Sequence, residues 1–251
     1  MKKLIAMILA AMFVFAGISA MAESLTLCTN VAFPPYEFYG EDGEATGIDI
    51  EIAKAIAAKL GYDLEVVDIE FGQCIPGVQS GKYDFSAAGM TVTEERKQMV
   101  QFTDTYATAI QVVIVPSESE ATSIEDIIEA NGSVKIGVQM ATTGDIYTTG
   151  DYEEAGLGSV ERYNTGAAAV QALKSGKVDC VVIDNEPAKN FVAQNEGLKI
   201  LDTAYAEEEY AMAFSKESPI YGDFNAALAE LIEDGTVAAI IEKYIPAEEA
   251  E

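Results

Sequence analysis

Hydrophobic spacing along the chain alternates between periods of two and 3.6 residues, the mark of strands interleaved with helices. Leu25 to Thr29 predicts a strand. Ile48, Ile52, Ile56 and Leu60 recur every fourth residue as one helical face, which Gly61 closes. A strand follows around Leu64 and Val66, a short helix over Cys74 to Ser80, a strand over Tyr83 to Ala88, and a helix opened by Thr93. The β-branched run Ile110 to Val115 predicts a buried strand. A polar stretch from Pro116 to Ser123 interrupts the pattern. It restarts with a strand at Val134 to Val138, a helix at Thr165 to Ser175, a strand at Val178 to Ile183 and a helix at Glu186 to Gln194. One more strand, Tyr210 to Phe214, precedes two closing helices near Tyr221 to Glu233 and Val237 to Tyr244. Such alternation predicts parallel sheets with helices on both faces, and ligands at the carboxyl ends of their strands. Ser80-Gly-Lys-Tyr-Asp-Phe85 is echoed by Ser175-Gly-Lys-Val-Asp-Cys180. Either two similar lobes or coincident turn chemistry produces such an echo.

Composition changes this picture in three ways. Lys2 and Lys3, the apolar run Leu4 to Ile18 and Ala20-Met21-Ala22 form a secretory signal with an A-x-A cleavage site, so 1–22 are expected to be removed on export. Fifteen basic residues against 42 acidic ones give a net charge of −27, which repels nucleic acid and anionic lipid. Cys28, Cys74 and Cys180 are too few and too widely spaced for a disulfide framework or a zinc pattern. A Cys28–Cys74 bridge and three buried free thiols remain equal alternatives. The chain has no histidine, which removes the commonest general base and metal ligand, and no catalytic residue, metal or cofactor is expected. No lipid-anchor cysteine is read, because Leu27 precedes Cys28 inside an apolar alternation.

Candidate chemistry concentrates in Gly81 to Arg96. Thr91 and Arg96 flank a turn at a helix N-terminus, where backbone N–H groups favour an anion. An Arg fork beside them suits a carboxylate. An ordinary connection with a surface Arg is the alternative from this segment alone.

Phe33-Pro-Pro-Tyr-Glu-Phe38, Gly47-Ile-Asp-Ile-Glu-Ile52, Ile75-Pro-Gly-Val-Gln-Ser-Gly-Lys-Tyr-Asp84, Gly89-Met-Thr-Val-Thr-Glu-Glu-Arg96 and Phe102-Thr-Asp-Thr-Tyr106 occur in this order. Together they resemble the periplasmic amino-acid-binding proteins of bacterial ABC importers, solute-binding family 3, over essentially the whole mature chain. The resemblance implies the two-lobed, type II periplasmic-binding-protein α/β fold. Each lobe would be a mostly parallel sheet flanked by helices, joined to the other by two hinge strands. Lobe 1 would span 23–107 plus 208–251, and lobe 2 would span 108–207. It implies a monomeric periplasmic protein that captures a polar or neutral amino acid by hinge closure and meets an ABC permease transiently.

Matched motif by motif, Arg96 would take the ligand α-carboxylate, with Thr91 and the adjacent N–H groups of the Gly89-Met90-Thr91 turn. The carbonyl near Gly89 would accept from the α-ammonium, and Asp184 would pair with that ammonium. Thr142 and Thr143 would close over the carboxylate, Phe33 and Phe71 would sandwich the side chain, and Asn30 would read it. Gln139 is a further cleft candidate. Each has a plainer alternative: packing for Phe33 and Phe71, helix capping for Asp184, Thr142 and Thr143, a turn role for Asn30. Glu37 reads as a solvated face residue. Asn30 stands where relatives selecting cationic side chains often carry Asp, which points to a neutral polar or mildly hydrophobic ligand. The alternatives from other classes are an exported cyclohexadienyl-dehydratase-like enzyme on the same scaffold and a ligand-sensing domain.

Overall fold

A computed structural model describes residues 23–202 and 204–246. The expected secretory signal, 1–22, lies outside the described residues. From Glu23 the chain forms β1 (Ser24–Thr29), a ribbon of β2 (Phe38–Tyr39) and β3 (Ala45–Thr46), and α1 (Ile48–Leu60). Ile48, Ile52 and Ile56 of the predicted face are fully buried, and Gly61 ends the helix at φ 81°. Then come β4 (Asp63–Asp68), α2 (Cys74–Gln79), β5 (Phe85–Ser86), α3 (Glu94–Met99), β6 (Gln101–Phe102) and β7 (Ala107–Pro116). The second half runs α4 (Ile124–Asn131), β8 (Val134–Gln139), α5 (Thr143–Thr148), β9 (Gly158–Tyr163), α6 (Gly166–Lys174), β10 (Cys180–Asp184), α7 (Asn185–Gln194) and β11 (Leu198–Ile200). It ends with β12 (Ala206–Tyr210), β13 (Ala213–Phe214), α8 (Tyr221–Glu233) and α9 (Thr236–Tyr244).

Two sheets organise these elements. One has the order β4-β1-β5-β13-β6; the other runs β11-β7-β10-β8-β9, with β12 also on β7. Both are mixed. β1 is parallel to β4 and β5, and β8 to β9 and β10, as the strand–helix alternation predicts. β7 is antiparallel to β10, β11 and β12, and β13 is antiparallel to β5 and β6. The reason is connectivity. The chain leaves the first sheet after β6 and returns to it after β12, so outgoing and returning strands run side by side in opposite directions. The two crossings are tied together where Thr103 N–H donates to Met212 O (3.0 Å) and Tyr106 N–H to Tyr210 O (3.0 Å).

Three expected elements differ. The Tyr210–Phe214 strand is split: Tyr210 ends β12 in one sheet, Ala213 opens β13 in the other, and Ala211 and Met212 carry the crossing. The strand expected over Tyr83–Ala88 is only Phe85–Ser86, because Gly89 at φ 51° turns the chain out of the sheet and gives its N–H to Asp49 Oδ2 (2.8 Å). The strand read around Leu64 and Val66 stops at Asp68, and Phe71 opens a single 3₁₀ turn (Phe71–Gln73) that leads straight into α2.

The echoed motifs are one device used in both lobes. Gly81 and Gly176 follow α2 and α6 at φ 72° and 69°. Asp84 Oδ2 then receives the Thr26 N–H (2.7 Å) and Asp179 Oδ2 the Lys135 N–H (2.8 Å), so each acid sets the register of the neighbouring strand. In the first lobe Phe85, Phe214 and Phe224 pack as a trio with centroids 4.7–5.2 Å apart, welding β5 and β13 to α8. Cys28, Cys74 and Cys180 are free thiols, all buried.

Candidate ligand-binding cleft

The opening turn of α3 explains why an arginine is buried in so acidic a chain. Thr93 caps the helix, its Oγ1 accepting the Arg96 N–H at 3.1 Å, and this places Arg96 at the position that looks back over the turn. Arg96 is 5% exposed. Its Nη1 donates to Thr91 O (2.8 Å) and its Nη2 crosses the cleft to Ala141 O (3.1 Å), while the guanidinium lies 5.5 Å from the Phe71 ring centroid. Burial holds its pKa below the usual range, and Glu208 and Asp184 oppose that shift. An arginine stays charged under such a shift, so the cleft contains a fixed cation.

Around it lie the apolar walls. Phe33, Phe71, Ala88 and Gly89 line the cavity from the first lobe. Gly89 is required twice over: at φ 51° any side chain is strained, and a Cβ there would stand 2.8 Å from Phe33 Cε1. Gly89→Ala is expected to displace Phe33 and weaken amino-acid binding at least about tenfold, against roughly 1–2 kcal/mol of backbone strain. Paired calorimetry and thermal unfolding separate the two effects, and an unchanged affinity would remove Phe33 from the ligand wall.

The second lobe supplies Gln139, Thr142 and Thr143. Gln139 Nε2 donates across the cleft to Asn30 Oδ1 (3.0 Å), and Gln139 Oε1 accepts from Gly166 N (3.2 Å). Asn30 in turn donates to Ile69 O (2.9 Å). Thr142 caps α5 and lines the cavity at once, so its two expected readings coincide. Thr143 Oγ1 accepts from Gln111 Nε2 (3.3 Å). At the rim, exposed Asn164 of the second lobe donates to Glu70 of the first (2.9 Å).

Two candidates sit elsewhere. Met90 does not line the cavity; it is fully buried in the core cluster containing Cys28, Cys74 and Val100, because the turn at Gly89 points the next side chain inward. Asp184 also lies outside the immediate lining. It is 5% exposed, and its Oδ1 accepts from Tyr210 OH at 2.6 Å. Thr91 lines the cavity, but its hydroxyl donates to Glu208 Oε2 (3.0 Å), so the acid on β12 holds the proton expected to serve a ligand.

Glu37 is the main revision. It is not a solvated face residue: it is 1% exposed, lines the cavity, and neither carboxyl oxygen has a hydrogen-bond partner among the described residues. Burial, with Asp49 and Asp184 nearby, raises its pKa well above the usual carboxylate range. Spacing alone hid it. Tyr36 and Glu37 are both buried because the segment folds back on itself, Phe33 N–H donating to Glu37 O (2.8 Å) and Glu37 N–H to Phe33 O (3.2 Å). A wider surface groove on the second lobe, lined by Glu118, Glu120, Asp126 and Asp179, offers acids without a cation and lacks the charge pair a zwitterion needs.

The family model for bacterial extracellular solute-binding proteins, family 3, matches residues 25–247. ArtP of Bacillus subtilis (strain 168), an arginine-binding extracellular protein, is 31% identical over 260 residues, covering 99% of this chain and 100% of ArtP. The ABC transporter glutamine-binding protein GlnH of the same organism is 32% identical over 213 residues, covering 83% of this chain and 76% of GlnH. Among solved structures, an ancestral arginine-binding protein bound to arginine is 40% identical with a TM-score of 0.81, covering 89% of this chain and 99% of that one.

Proposed function

The chain belongs to the bacterial extracellular solute-binding proteins, family 3, and from that premise we propose that it captures an L-amino acid with a cationic side chain between its lobes and delivers it to an ABC permease. The lobes proposed are those expected from the sequence, 23–107 plus 208–251 and 108–207, with the second boundary moved to the crossing at Ala211-Met212 because Glu208 to Tyr210 belong to β12 of the second sheet, and the expected site is extracytoplasmic. No helix among the described residues is long and apolar enough to cross a membrane. One observation carries the side-chain class: the buried carboxyl of Glu37 in the cavity wall, which has no hydrogen-bond partner among the described residues. A buried carboxyl without a donor is costly, and a cationic group placed against it removes that cost. This reading narrows the polar or neutral class expected from the sequence towards its cationic members, since Asn30 is already engaged by Gln139 and Ile69. Relatives named for arginine point the same way, while one named for glutamine shows how little the backbone constrains the side-chain end.

In the proposed mechanism Arg96 takes the α-carboxylate from lobe 1 and Asp184 takes the α-ammonium from lobe 2. Both charges act on one ligand only when the lobes are closed, which ties binding to closure. A thermal-shift screen of the refolded mature protein against the twenty amino acids, ornithine, citrulline and cystine tests this. At 100 times Kd the ligand adds about 2.7 kcal/mol, a rise of roughly 5–10 °C. Arginine or lysine is the expected hit, recovered unchanged by chromatography. A neutral hit alone would remove Glu37 from side-chain reading, and consumption of the ligand would make the protein an enzyme.

A further inference from the structure

The loop after β8 bends where its sequence resists bending. Ala141 is the one non-glycine residue at positive φ among the described residues, at 65°. A side chain disfavours that conformation, because its Cβ crowds the following carbonyl oxygen. In this shape the Ala141 carbonyl crosses the cleft to Arg96 Nη2 (3.1 Å), and the Ala141 methyl lies against Gly72 of the first lobe, where a Cβ would stand 3.2 Å away. Thr142 and Thr143, the next two residues, line the cavity. Asp145 holds the bend. It is 8% exposed, its Oδ2 accepts the Ala141 N–H (2.9 Å), and its own N–H donates to Thr142 Oγ1 (3.3 Å). Its other oxygen, Oδ1, accepts from Arg162 Nε (2.8 Å) and Thr149 Oγ1 (3.2 Å). Arg162 on β9 is fixed in turn by Val160 O (3.1 Å) and Glu153 Oε2 (3.0 Å). Both carboxyl oxygens of Asp145 are therefore engaged, and Asp145 itself does not line the cavity.

We propose that Asp145, braced by Arg162, is a positioning residue for ligand binding: it keeps Ala141 in the left-handed region, so that the second lobe presents Thr142 and Thr143 to the cavity, and the Ala141 carbonyl to Arg96, without rearranging as the lobes meet. The proposal rests on the amino-acid reading of the cleft. Every group of the brace lies between Ala141 and Arg162, on or beside the adjacent strands β8 and β9. The brace is thus complete before the lobes close, and the cost of ordering the loop falls on folding rather than on binding. Asp145 is also the third residue of α5, whose cap is Thr142, so a purely structural role would be that of a helix cap. Glycine separates the two roles. It takes a positive φ without strain, so Ala141→Gly makes Asp145 dispensable for the shape of the loop while leaving it as necessary to the helix as before.

Two measurements test the idea. Calorimetry is run with L-arginine, L-histidine, L-glutamine and L-cystine. For whichever of these the parent binds, Asp145→Ala is expected to weaken binding about tenfold, or about 1.4 kcal/mol. In an Ala141→Gly background the same substitution should cost under about threefold, since the two residues act through one backbone bend. Asp145→Asn keeps the shape of the side chain but turns an amide donor towards either Arg162 or the Ala141 N–H. It should fall between the two, and it replaces the alanine variant if that variant does not fold. In the ligand-free protein, NMR couplings that report φ at position 141 are expected to show a positive angle in the parent, its loss in Asp145→Ala and its return in the double variant. Equal losses in both backgrounds, an affinity unchanged by Asp145→Ala, or a φ that stays positive without Asp145 overturns the proposal. Failure of every amino acid to bind the parent would overturn the amino-acid reading instead, while φ at position 141 still decides whether Asp145 holds the loop.

Discussion

Arg96→Ala is expected to weaken binding of the amino-acid ligand by at least about 100-fold, or about 2.7 kcal/mol. The side chain is the cleft's buried cation, 5% exposed and held from below by the Thr91 carbonyl and from across by Ala141. A charge-assisted hydrogen bond contributes about 1.5–3 kcal/mol, and truncation also leaves a ligand carboxylate buried without a partner. Arg96→Lys is expected to recover only part of the loss, since a point charge cannot reproduce the fork that here spans both lobes. Calorimetry on both variants checks this. A change under threefold for the alanine variant would mean that the carboxylate is bound elsewhere, with the N–H groups of the turn as the remaining candidates.

Glu37→Gln is expected to lower affinity for L-arginine at least about tenfold, to spare or improve binding of L-glutamine, and to stabilise the ligand-free protein. The last effect has a definite pH signature. Glu37 is raised in the folded state by burial, then by Asp49 and Asp184. A group with a raised folded pKa contributes stability that is fully present below its unfolded value, about 4.3 for Glu, and is lost as pH rises through the folded pKa. The stability advantage of Glu37→Gln over the parent should therefore be smallest near pH 4 and grow towards neutrality. Urea midpoints at several pH values read that difference directly. Asp49 and Asp184, raised to about 6 and about 8, slope the same way in the parent, and losing the Glu37 charge eases both, which adds to the advantage of the variant in the same direction. An advantage that shrinks with pH would show that Glu37 has an unseen partner.

The parts of this fold set by local chemistry were legible in the chain. The Ile48-Ile52-Ile56 face, the Thr93 cap and the paired Gly-Lys-x-Asp turns each follow from spacing over a few residues. What escaped depends on partners far away in sequence. The break at Ala211-Met212 cannot be read from an apolar run, because it is fixed by Thr103 and Tyr106 on the other crossing. Glu37 and Glu208 look like ordinary members of an acidic surface until the folded chain buries one behind Phe33 and the other against Gln111. Met90 erred the other way: its neighbours in sequence face the cleft, but one turn of backbone at Gly89 sends it to the core. Arg96 was found by motif, yet its contact with Ala141 follows only from the meeting of the lobes.

All three native thiols are buried, and the rim pair Glu70 and Asn164 is exposed on opposite sides of the cleft mouth. A maleimide dye will therefore discriminate an introduced surface cysteine from the native ones without their removal. Cysteines placed at 70 and 164 and labelled with a donor and an acceptor fluorophore turn the opening of the mouth into a change in energy transfer. The native protein is in that sense a ready chassis for an optical sensor of its own solute.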